Sequence, residues 1–461
     1  MDRGWKMLRL GRIVGRCVAL VLVVGCGPAL PSSSATPTAA TIATTPAPSP
    51  PPSPGRSTPS PSPALDRVAG VRADIAALLD ARDTIHPDGW HGISRTDWIA
   101  AADVVAAKAE TLTDDQVLVE LVRLAAMPSW NGHDGHTGIF PFIPGSGTHE
   151  YPVRWWRFSD GLVITAARAP HEDLVGARVV AINGRPIADV LALVEPLAPR
   201  DNPSNLLAYS TIYLRASELL AGLGVIDAAG PTAFSVVDRS GTRREMTIEP
   251  ISAEEDGVWN SGFPHRLPPT DALWLKNQGE ILWWSYLADS RTLFVQYNEA
   301  EGGVTTIVDE ILARAKQDDV ARVVLDLRHN IGGDNRTFRP LEDALVDPAI
   351  NRPGRLFVLF GRVTFSAGAN LVVDLERETA ATFAGEALGG SPNLYADVRR
   401  VDLPYGGQAL YVATEYTQRS TPDDERVTIE PDIPAELSSA DYFGGRDPVL
   451  QAILDTPVAP G

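Results

Sequence analysis

At 461 residues the chain is too long for one ordinary domain and long enough for two or three with proper cores. A formal net charge of −18 makes it a polyanion, a poor partner for nucleic acid or for anionic lipid headgroups, so neither is expected. The only cysteines are Cys17 and Cys26, so the body after them must be held by its core without thiol or disulfide.

Residues 1–25 carry five basic residues (Arg3, Lys6, Arg9, Arg12, Arg16) against one acid, Asp2. The apolar run from Cys17 to Val24 falls far short of the ~20 residues a bilayer-spanning helix needs, and its layout is that of a secretory signal. Val23-Val24-Gly25-Cys26 resembles a bacterial lipobox, which implies lipid attachment at Cys26 and an extracytoplasmic protein anchored to the cell membrane. Residues 26–64 are dominated by Pro, Ser, Thr and Ala, with Arg56 the only charge, too apolar-poor to offset the entropy of ordering. As polyproline II at ~3.1 Å per residue, such a tether would reach about 100 Å.

From residue 65 to 130 apolar residues recur at helical spacing: Val68, Val71, Ile75 and Leu78, then 98–107, then Val117, Leu121, Val122 and Leu124. Thr113 or Asp114 would cap the last of these helices. The His86-Pro87-Asp88-Gly89-Trp90-His91 cluster reads as a packed loop. Residues 131–150 open on the polar run Asn131-Gly132-His133-Asp134-Gly135-His136-Thr137-Gly138. His133 and His136 have a spacing found in metal sites, but no third ligand is evident nearby, and no metal is expected. Two readings remain for the run: a glycine turn with solvated histidines, or a histidine that serves as a general base.

Between 151 and 255 the pattern turns to strands. Residues 177–182, the turn Asn183-Gly184 and Arg185-Pro186-Ile187 predict a hairpin with a type I′ turn, followed by a helix over 190–197. Residues 256–461 hold three short strand-like runs, at 293–298, at 323–327 and, apolar and unbroken throughout, at 356–360, the last of the kind that forms a strand buried on both faces. The third run leads into Val363-Thr364-Phe365-Ser366-Ala367-Gly368, after which Ala367, Leu371, Val372 and Leu375 recur at helical spacing. Ser366 therefore stands at a helix start, where unpaired backbone N–H groups could meet an oxyanion while the hydroxyl attacks a carbonyl. An N-cap serine is the plainer reading of the same position.

The second run continues as Asp326-Leu327-Arg328-His329-Asn330-Ile331-Gly332-Gly333, and paired glycines let backbone approach a ligand closely. A strand of this form, then Thr364-Phe365-Ser366-Ala367 about thirty residues on, resembles the C-terminal processing, or tail-specific, serine peptidase family. Gly385-Glu386, Gly389-Gly390, Leu403-Pro404, Glu430-Pro431-Asp432-Ile433 and Gly445-Arg446-Asp447-Pro448 follow in that family's order, and the resemblance spans about residues 66–455. It implies an α/β fold with a crotonase- or Clp-protease-like spiral core, an N-terminal helical lobe and an inserted PDZ-like domain over 151–255. It also implies a polypeptide substrate and no cofactor.

One branch of the family uses a lysine base after the serine, yet the last lysine here is Lys316. The resemblance then points to the tricorn-like branch, with His136 as general base for Ser366, Glu425, favoured over Asp424 and Glu430, as the acid that orients it, and the amides of Ala367 and of Gly332 or Gly333 as the oxyanion hole. That branch has serine immediately before its histidine, where this chain has Gly135; Asp134 or a water would have to fill the gap. The competing expectations are a non-catalytic carrier on the same fold, an esterase with the same residues, and a scaffold that recognises peptides through the PDZ-like part.

Overall fold

The computed structural model describes residues 66–259 and 267–457. The expected signal segment, Cys26 and the tether lie outside the described residues. No helix among the described residues is long and apolar enough to cross a membrane.

The α/β class follows from the apolar runs. Leu282–Leu287, Thr292–Tyr297, Arg322–Asp326, Leu356–Phe360, Thr382–Gly385 and Ile433–Pro434 form one six-stranded sheet in that order. The first pair is antiparallel and the others are parallel. Three of its strands are buried along their whole length, as a parallel sheet covered on both faces requires. Alternate residues feed two separate cores: Leu293, Val295, Val323, Leu325, Leu356 and Val358 on one face, and Phe294, Val324, Phe357 and Leu359 on the other. The helices Thr305–Ala315, Arg339–Leu345 and Ala367–Glu378 connect the parallel strands. Arg328, almost wholly buried, bridges Asp326 at 2.6 Å and Asp447 at 2.7 Å, which ties the end of a central strand to the start of the last helix.

Ahead of this sheet stand the helices Arg67–Thr84, Arg95–Lys108 and Asp114–Ala126, capped by the side chains of Asp66, Ser94 and Thr113. Thr113 and Gln116 complete a capping box. A second sheet runs Val153–Phe158, Gly161–Ala167, Arg178–Ile182, Thr232–Val237 and Arg243–Ile248. Asn183 and Gly184 both have positive φ, 47° and 76°, as a type I′ turn demands. The helix expected at 190–197 starts earlier, as Ile187–Val194, and tightens into a 3-10 turn where Pro196 cannot continue it. This strand-rich stretch also holds the helix Pro203–Tyr213, which its apolar pattern did not announce.

A long antiparallel hairpin, Asn393–Asp402 with Ala409–Gln418, adds the short strand Gly138–Ile139 along its edge. Its tip reaches the first helix, where the buried Asp74 carboxylate accepts the N–H groups of Tyr405 and Gly406, both at 2.8 Å.

Candidate active site

In a sheet of parallel strands, loops at the strands' carboxyl ends gather on one edge. The adjacent strands Arg322–Asp326 and Leu356–Phe360, in register at Asp326 and Leu359, deliver the Gly332-Gly333 loop and Ser366 to that edge side by side. Ser366 has φ 51° and ψ −125°, a strained conformation for a residue with a Cβ, at a sharp turn from strand to helix. The turn is held by Thr364, whose hydroxyl donates to the Leu327 carbonyl (2.9 Å) and accepts the Gly361 N–H (3.1 Å). The Ser366 side chain makes no capping bond, so the N-cap reading falls. Its Oγ lies 3.2 Å from Nε2 of His136, a residue 230 positions earlier.

His136 is positioned by a loop clamped on two sides. The Asp201 carboxylate accepts the Gly135 N–H at 2.6 Å and the Ser391 N–H at 3.1 Å, and the Asp201 carbonyl accepts the His133 N–H at 2.8 Å. On the other side, the Tyr395 N–H donates to the His133 carbonyl at 2.8 Å. The Phe365 ring stacks on the imidazole, with centroids 4.5 Å apart and planes 24° apart. Burial pushes the imidazole below its usual value of 6.5, to about 4, against the opposing pull of the Asp134 and Asp397 carboxylates and the Tyr395 backbone. The ring is therefore neutral at neutral pH and can accept the serine proton.

The orienting acid differs from expectation. Glu425 is exposed and takes part in no hydrogen bond or ion pair among the described residues. The reason is local: Asp424 accepts from the Ser420 hydroxyl at 2.6 Å and pairs with Arg426 at 2.8 Å, and Arg426 turns outward to Glu376. Glu425 is left facing solvent. No carboxylate among the described residues hydrogen-bonds Nδ1 of His136, which faces the Tyr395 backbone, so the acids act on the ring through space. Asp134, fully buried, accepts the Thr137 N–H at 2.9 Å and pairs with Arg82 at 3.3 Å and His86 at 3.2 Å. Burial alone would raise its pKa; the hydrogen bond from His86 and the Arg82 charge outweigh it and hold the carboxyl below its ordinary range.

Of the two glycines considered for the oxyanion hole, the structure separates the roles. The Gly332 N–H donates to the Asn330 side chain at 3.0 Å, and a Cβ at Gly332 would stand 2.6 Å from that of Ser366. Gly332 is there because the backbone must pass so close. Among the described residues no acceptor takes the N–H of Gly333 or of Ala367, and Gly333 lines the cleft beside Ser366. Asn330 ties the two loops together, since its carbonyl also accepts the Phe365 N–H at 3.0 Å and its amide donates to Tyr297 at 3.2 Å. The motif containing Asn330 was visible in sequence; its pinning role was not.

His86, His91 and Asp134 lie close enough together to suggest a metal centre. Their hydrogen bonds argue otherwise. The Asp88 N–H donates to Nδ1 of His86 at 3.1 Å, which leaves the proton on Nε2, the atom facing Asp134. With that lone pair absent and the Arg82 guanidinium on the same carboxylate, the cluster is a hydrogen-bonded charge network rather than an ion cage.

No protein-family profile and no curated protein matches the chain. Solved structures do. The crystal structure of a CPAF mutant superposes with a TM-score of 0.60 at 13% identity, covering 85% of this chain and 99% of that one. Mature CPAF gives 0.58 at 13% identity over the same shares. Mature CPAF complexed with lactacystin gives 0.57 at 14% identity, over 82% of this chain and 96% of that one. At such identities the likeness establishes a shared fold.

Proposed function

We propose that the protein is a serine peptidase that hydrolyses polypeptides through an acyl-enzyme on Ser366. The observation that carries this reading is the 3.2 Å contact between a hydroxyl on a strained turn and a neutral imidazole, beside two unengaged backbone N–H groups. As Oγ bonds to the substrate carbonyl carbon, its proton passes to Nε2 of His136. The carbonyl oxygen, now an anion, meets the amides of Gly333 and Ala367, each such donor contributing roughly 3 kcal/mol. His136 then returns the proton to the leaving amine as the C–N bond breaks, and water releases the acyl group by the same steps in reverse order. Asp134 and Asp397 stabilise the transient imidazolium by their charge.

The larger sheet with its connecting helices is read as the crotonase- or Clp-protease-like core, and the sheet from 153 to 248 as the PDZ-like insertion. The basic and apolar start with Cys26 supports secretion and lipid anchoring outside the cytoplasm. Turnover of an unstructured protein substrate, abolished in Ser366→Ala while the circular dichroism spectrum is retained, tests the assignment; continued turnover by that variant overturns it.

A further inference from the structure

The cleft beside Ser366 is chemically one-sided. Resting on the peptidase reading, we propose that the enzyme selects a bulky uncharged side chain, aromatic or branched aliphatic, at one of the two residues flanking the bond it cuts. The cavity measures about 140 Å³ and is walled mainly by Phe140, Phe142, Ala208, Tyr209, Val363 and Phe365. An apolar cavity of about 150 Å³ is the size that accepts a benzene molecule, so the space matches one phenyl or leucyl group.

The walls are also fixed in advance. Phe140 meets Phe142 edge-on at 5.8 Å, Phe142 meets Tyr213 at 5.5 Å, and Tyr209 meets Phe365 at 6.1 Å. Aromatic surfaces locked against one another lose little freedom when a ligand enters, which favours a snug apolar guest over a small one.

The charges at the cleft do not offer a counter-ion to its interior. Arg362 lies along the wall, but its fork is closed on Glu386, with both contacts at 2.6 Å, and its remaining arm donates to the Arg157 carbonyl at 2.7 Å. A substrate carboxylate entering the pocket would have to displace Glu386. Asp397 is exposed, so a basic side chain would meet it in water rather than inside the cavity. A charge carried into the aromatic interior would lose its hydration with nothing to replace it.

Ala208 is the position on this lining where added bulk would fill the pocket. It lies on the helix Pro203–Tyr213, which turns Asn205, Ala208 and Tyr209 toward the cleft at helical spacing, and it is the smallest side chain on that wall.

The test is cleavage-site profiling of a mixed peptide library by mass spectrometry, with wild type, Ala208→Phe and the milder Ala208→Val. Wild type should enrich Phe, Tyr, Leu or Ile over Ala at one flanking position by about 100-fold, the scale that a filled apolar pocket supplies. Ala208→Phe should reverse that preference toward Ala and Ser, with Ala208→Val between. Enrichment of Lys, Arg, Asp or Glu at that position, or equal cutting beside all residues, overturns the proposal. Labelling with a small fluorophosphonate separates the two levels: a chain that labels at Ser366 yet shows no apolar preference contradicts only the pocket. One that neither labels nor cuts contradicts the peptidase reading, and the pocket proposal falls with it.

Discussion

Phe365 occupies the space that a side chain at position 135 would need. A Cβ built on Gly135 would stand 2.9 Å from Cζ and 3.0 Å from Cε2 of the Phe365 ring, which is itself stacked on His136. Glycine at 135 thus goes with the support the imidazole has here, an aromatic plate against its face. Gly135→Ser should push the ring off His136 and lower kcat/KM by at least 10-fold, with about 1–3 kcal/mol of overpacking strain. Adding Phe365→Ala should recover the stability without the full activity, as chemical denaturation and peptide turnover will show.

The acid limb of the pH profile should lie low. With His136 held near 4 instead of 6.5, kcat/KM should stay level from neutrality to about pH 5 and fall by half near 4. The stability sign follows from the same shift. The unfolded chain takes up this proton near 6.5 and the folded chain near 4, so the contribution is complete above 6.5, declines as pH falls through that window, and is gone below 4. Denaturation midpoints measured for wild type and His136→Gln from pH 7 to 4 should converge as the pH drops.

Glu425→Ala should leave turnover within about 2-fold of wild type, because the side chain is exposed and touches nothing at the site. Asp134→Asn should be costly. It strands the buried Arg82 guanidinium, a loss on the order of 3–5 kcal/mol, and removes the charge nearest in effect to the imidazolium. Melting curves and kcat for the two variants, compared side by side, check the pair of expectations.

Asn330→Ala should release the Gly332 N–H and loosen the contact between the glycine loop and the Ser366 turn. Misplacing the oxyanion donors should lower kcat by about 100-fold with little change in KM. Equal losses in both parameters would instead indicate a general collapse of the cleft.

The parts of this architecture that could be read from sequence are those whose cause is local. Leu356–Phe360 is apolar throughout because both faces are covered, and Asn183-Gly184 can hardly be anything but a tight turn. The helix Pro203–Tyr213 has a legible start in Asn202 and Pro203, an N-cap followed by proline in the first turn, but no clear apolar period. Its face is shared between cleft and core, which blurs the apolar period. The Asp201 clamp on Gly135 and Ser391 joins residues 66 and 190 positions apart, and nothing in either neighbourhood signals the other. The expectation for Glu425 rests on a resembling motif and on no local signal of its own. The ion pair between Asp424 and Arg426 then turned that stretch outward.

The most direct measurement is the rate at which a fluorophosphonate forms an adduct, with the modified residue located by peptide mass spectrometry. The account predicts a single adduct on Ser366, absent in Ser366→Ala and slowed at least 1,000-fold in His136→Ala, the order of loss seen when a nucleophile's base is removed. An adduct on another residue, or a rate on Ser366 indifferent to His136, would contradict it.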